Sequence, residues 1–111
     1  MIEKYKKFLP IGTVVQLVGG TKPIMIMGYC PVAESDKAKV FDYSAVLYPE
    51  GYLRPDQVCL FNHDQIEKIF CLGFSDENSN KFREELLKLE PTIQERLKGL
   101  ENNGGKDFLN N

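Results

Sequence analysis

The sequence predicts an α+β fold: a small, strongly bent antiparallel sheet of about five strands followed by C-terminal helices. Three observations predict it. The first two-thirds is a series of short β-branched and aromatic runs, each closed by glycine, proline or a polar stretch. The last third carries apolar residues at helical spacing instead. A chain of 111 residues suits one modest core. It reads as a single domain, residues 1–111, with a β-region at about 9–74, a helical region at about 79–100 and a loose tail at about 101–111.

After a polar lead, TVVQLVGG (13–20) is β-branched and ends on a glycine pair. IMIMGYC (24–30) follows a short turn containing Pro23, and the two runs predict a hairpin. PVAESDKAK (31–39) is polar and rich in turn formers, an exposed loop. KVFDYSAVLY (39–48) alternates so that Phe41, Tyr43, Ala45 and Leu47 share one face. In PEG (49–51), Pro49 presets φ for a turn and Gly51 can take positive φ without a Cβ penalty. QVCLF (57–61) and IEKIFCLGF (66–74) supply two further strands. Between them, Asn62 and Gln65 have the spacing of a capping box, so FNHDQIEKI reads as strand, one helical turn, strand.

The helical region opens after SDENSN. Phe82, Leu86, Leu89, Ile93, Leu97 and Leu100 form one apolar stripe, with charged residues largely elsewhere. Pro91 interrupts it, lacking an N–H and disfavouring helix at the residue before it. Either two helices, with Pro91 in the first turn of the second, or one kinked helix accommodates it, and a break near Glu90 is favoured. GLENNGGKDFLNN is rich in glycine and asparagine and should fray.

The formal net charge of -2 supplies no basic field for nucleic acid or an anionic membrane. The apolar stretches are far shorter than the roughly 20 residues that span a bilayer. MIEKYKKFLPIG lacks the apolar run of a signal peptide, which predicts a cytoplasmic chain. Cys30, Cys59 and Cys71 lie in or beside apolar runs with no CxxC spacing, and read as buried thiols. His63 is the sole histidine and its spacing from them matches no zinc module, so neither a metal nor a cofactor is implied.

Two readings compete for residues 46–66. In one, His63 is a general base oriented by Asp64 or Asp56. Adjacent residues rarely face each other, and no GxSxG-type nucleophile is present, so an exposed first-turn histidine fits better. In the other, Tyr48, Glu50, Tyr52 and Arg54 are presented by a stiff turn as a contact surface for another protein, since Tyr and Arg are enriched at hot spots. The rival is that both tyrosines fold inward as core. Ile93 and Leu97, beyond Pro91, offer a second contact surface of the helix-in-groove kind.

The order of landmarks LPIGTVVQLVGG, PIMIMGYCP, FDYSAVLYPEG and FNHDQIEKIFCLGF resembles a small family of Gram-positive bacteria. It is the domain-of-unknown-function family four-one-seven-six, found beside type VII secretion loci and their LXG toxins. The resemblance spans roughly residues 9–75; the helical region is similar only in character. It carries no catalytic motif. It implies a non-enzymatic cytoplasmic accessory, a chaperone or targeting factor for an LXG toxin; the alternative is an immunity protein that neutralises a cognate toxin.

Overall fold

The computed structural model describes residues 6–33 and 39–102, with side chains as far as Pro91. Of the loose tail expected at about 101–111, Glu101 and Asn102 end the helix, and residues 103–111 lie outside the described residues. Five strands, β1 (Val14–Leu17), β2 (Ile24–Tyr29), β3 (Tyr43–Leu47), β4 (Cys59–Phe61) and β5 (Ile66–Cys71), precede one helix, α1 (Glu77–Asn102). The α+β class is as expected. All pairings are antiparallel, in the order β4-β3-β2-β1-β5.

That order imposes curvature. β4 and β5 lie at opposite ends of the sheet, yet a 3-10 turn at His63–Gln65 links them. Laid flat, the two strands would stand roughly 19 Å apart, at about 4.8 Å per step. A 3-10 turn advances only about 2 Å per residue. The sheet therefore rolls. Register shifts in β1–β5 and β2–β3 supply the bends.

The inner surface is the core. Val15, Ile24, Ile26, Tyr43, Ala45, Phe61 and Ile66 are buried, as the alternation in each strand requires. Of the Met-Ile-Met run only Ile26 is core, while Met27 is exposed. Phe8 and Leu9, read as part of a polar lead, are buried too. The segment from Lys7 to Thr13 is a strap that packs onto this core through Phe8 and Leu9. Gly12, at φ +91°, donates its N–H to the Ile26 carbonyl at 2.8 Å. Of the loop expected at 31–39, residues 34–38 lie outside the described residues. Ala33 is buried, and Val32 bridges Val40, so its arms extend the β2–β3 hairpin.

The helix departs from expectation in three ways. It starts earlier, because Asp76 and Ser79 cap it reciprocally: Ser79 N–H donates to Asp76 Oδ1 at 2.8 Å, and Asp76 N–H to Ser79 Oγ at 2.9 Å. It is one helix, with Pro91 inside rather than at a break. Pro91 forfeits one backbone bond, but good helix formers on both sides keep the remaining ladder. Its inward face is also rotated from the predicted stripe. Ser79, Arg83, Leu86, Leu87 and Glu90 are half-buried, whereas Phe82 and Leu89 are exposed.

The cysteines are free and not uniformly buried. Cys30 and Cys59 are half-buried, and Cys71 is exposed, near the end of edge strand β5. Burial pushes the Cys30 thiol up to about 11, leaving it protonated at neutral pH.

Candidate functional site

Four of the six residues expected to contact a partner lie on the connection between β3 and β4. Its shape is set by backbone bonds at three points. Tyr48 N–H donates to the Pro23 carbonyl at 3.0 Å, Gly51 N–H to Leu47 at 2.7 Å, and Gln57 N–H to Arg54 at 3.0 Å. The Tyr48–Pro49 peptide is cis, and Gly51 takes φ +80° as its position predicted. A 3-10 turn, Pro55–Gln57, follows and leads into β4.

On that frame Tyr48 is 47% and Tyr52 58% exposed, and Leu53 beside them is 57% exposed. The tyrosines do not fold inward as core. Glu50 pairs with Lys22 at 3.0 Å, and that hydrogen bond holds its carboxyl below the usual range. Arg54 pairs with Asp56 at 3.2 Å, both largely exposed. Glu50 and Arg54 thus share a turn but not a bond. Ion pairs this exposed are cheap to exchange for a partner's groups. Ile93 and Leu97 occupy the second half of α1, and their side chains lie outside the described residues.

A second constellation surrounds His63, and sequence reasoning missed most of it. The buried Tyr43 hydroxyl accepts the N–H groups of Phe8 and Leu9, each at 2.9 Å. A tyrosine oxygen has two lone pairs and one proton. Both lone pairs are taken, so the O–H donates to His63 Nδ1, 2.7 Å away. His63 Nδ1 is thereby the acceptor of this bond. Burial pushes the Tyr43 phenol well above the ordinary tyrosine value.

Asp42 completes the cluster. Its Oδ2 accepts the His63 backbone N–H at 2.8 Å, and its Oδ1 meets Lys7 Nζ at 3.1 Å. Lys7 also pairs with Glu90 of α1. Burial opposes the Lys7 charge, but bonds to Glu90 and Asp42 outweigh it and hold the ammonium above its usual value. The expected cap is present as well: Asn62 N–H donates to Gln65 Oε1 at 2.8 Å, and Asn62 Oδ1 accepts the Asp42 N–H at 3.1 Å.

His63 is therefore half-buried, not the exposed first-turn residue expected from its position. Its backbone is held by Asp42, rather than by Asp64 or Asp56 orienting its ring. The hollow here, about 440 Å³, is lined by Lys7, Val40, Asp42, Asn62, His63, Asp64 and Glu90. Its bonds run between strap, sheet and helix, so the cluster works as a fastening. No local motif could have revealed it, because the partners are 20, 35 and 83 positions apart.

Among the described residues, no group of three or more His, Cys, Asp or Glu is placed to hold a metal ion. No helix among them is long and apolar enough to cross a membrane. In comparison with known proteins, the family described as Domain of unknown function (DUF4176) matches residues 8–82. No curated protein and no solved structure matches. The matched span runs from the strap through the Tyr48 turn to the second turn of α1, and stops short of Ile93 and Leu97.

Proposed function

From a chain that belongs to the DUF4176 family of unknown function, we propose a non-enzymatic, cytoplasmic protein-binding accessory: a chaperone or targeting factor that accompanies an LXG toxin to the type VII secretion machine. The observation that carries the protein-binding part is the exposed Tyr48, Tyr52 and Leu53 on a turn pinned at three backbone points. Amphipathic rings on a stiff turn bind with little ordering cost. The secretion context rests on the family resemblance set out above. Glu50 and Arg54 flank the rings with one charge of each sign, and Ile93 and Leu97, beyond Pro91, are a second, separate contact surface in this reading.

The test is a double substitution. Tyr52→Ala with Arg54→Ala removes side chains that are mostly in solvent. Its melting temperature should stay near the parent's, since surface changes fall within about 0.5 kcal/mol. Affinity for the protein captured from the native cell should fall by about 2 kcal/mol, roughly 30-fold, as at a hot spot. A mutant that melts early, or binds as tightly as the parent, would make the turn architecture.

A further inference from the structure

The Arg83 side chain lies between two hollows on the strap side of α1. One, of about 300 Å³, has Phe8, Leu9, Pro10, Leu72 and Leu87 among its walls. The other, of about 200 Å³, is formed by Ile11, Tyr29, Phe74, Ser79 and Phe82. Arg83 lines both.

The smaller is lined mainly by apolar side chains, while the larger also has Lys6, Lys7, Asn80 and Glu84 in its wall. Phe74 is 81% exposed and Phe82 58%, and Ile11 and Leu72 are nearly half exposed. Scattered singly such residues mean little, but here they gather in the walls of adjoining hollows.

The charge at the junction is unspent. Arg83 Nη2 donates to Ser75 Oγ at 3.2 Å and to Asn80 Oδ1 at 2.5 Å. Both acceptors are neutral. Among the described residues Arg83 has no carboxylate partner, although Glu84 lines the larger hollow. A guanidinium held in place by neutral acceptors, between two hollows with apolar residues in their walls, is complementary to a carboxylate that has apolar side chains on either side.

We propose that the paired hollows dock an acidic segment of a partner protein, with its carboxylate on Arg83 and an apolar side chain in each hollow. The proposal shares the protein-binding reading but uses none of the residues of the turn at 48–54, so either surface can fail alone.

The experiment titrates the whole ¹⁵N-labelled chain with two blocked peptides, acetyl-Leu-Asp-Phe-amide and acetyl-Leu-Asn-Phe-amide. The aspartyl peptide should shift the amide signals of Phe74, Phe82 and Arg83 saturably and bind about fivefold more tightly than the asparaginyl one, the size expected of one exposed ion pair. Arg83→Gln should erase that difference. Phe74→Ser, at a position mostly in solvent, should weaken both peptides while the spectrum otherwise stays folded. Equal binding of the two peptides, or shifts that map elsewhere, would overturn the proposal. So would shifts that follow protein concentration without peptide, since the face would then be covered by a second copy.

Discussion

Tyr43→Phe is expected to cost about 3 kcal/mol, although it removes one oxygen from a ring that stays buried. That oxygen accepts the Phe8 and Leu9 N–H groups and donates to His63 Nδ1. Phenylalanine fills the same volume, so the transfer term hardly changes. What remains is two buried donors and an imidazole nitrogen with no partner in Tyr43, at about 1–3 kcal/mol for each unsatisfied group before relaxation. The strap should loosen first, exposing Phe8 and Leu9. Urea unfolding of parent and mutant, compared at equal m-value, measures the loss directly. His63→Ala should cost less, about 1 kcal/mol, because water can replace a half-buried acceptor. A Tyr43→Phe protein as stable as its parent would show that the strap is held by apolar packing alone.

Gly73→Ala should be comparably damaging for a steric reason. A Cβ on Gly73 would stand 2.0 Å from the Ile11 carbonyl oxygen and 2.8 Å from its carbon. Both are backbone atoms, so no side chain can swing aside. Gly73 also donates its N–H to Thr13 Oγ1 at 3.0 Å, and Thr13 is fully buried with its hydroxyl on the Pro10 carbonyl. Relieving the clash means parting the strap from the end of β5. Overpacking of this kind costs about 3 kcal/mol, a fall in melting temperature on the order of 10 °C for a domain of this size. Gly28→Ala is the control, since the atom it meets at 2.7 Å is the Ser44 hydroxyl, which can rotate away. If both variants melt alike, the approach of Gly73 to Ile11 is not what shapes this end of the sheet.

These two residues mark the boundary of what was legible in the sequence. Each strand has its own local signal: β-branched runs, alternation, and turn residues such as Gly51, whose positive φ was foreseeable from the turn it closes. Pairing between β1 and β5 has none, because those strands lie about fifty positions apart and only the rolled sheet brings them together. The strap was missed because Phe8 and Leu9 follow two lysines and carry no periodic pattern. Apolar spacing marks the helix but not its inward face. Arg83 and Glu90 occupy inward positions, and counting apolar residues favoured Phe82 and Leu89 instead. A polar residue that faces inward to meet a distant partner is invisible to a hydrophobic period. Of the expected contact residues, the turn tyrosines stand where a partner could reach them.

We propose that this chain binds an LXG toxin at the part that directs export. One calorimetric measurement tests it: the whole chain titrated separately with the helical LXG region and with the toxic domain of an LXG toxin from the same cell. Binding to the LXG region, at a dissociation constant of about 1 μM or tighter, with no heat from the toxic domain, is the predicted result. Binding to the toxic domain alone would contradict the claim and make the chain an immunity protein.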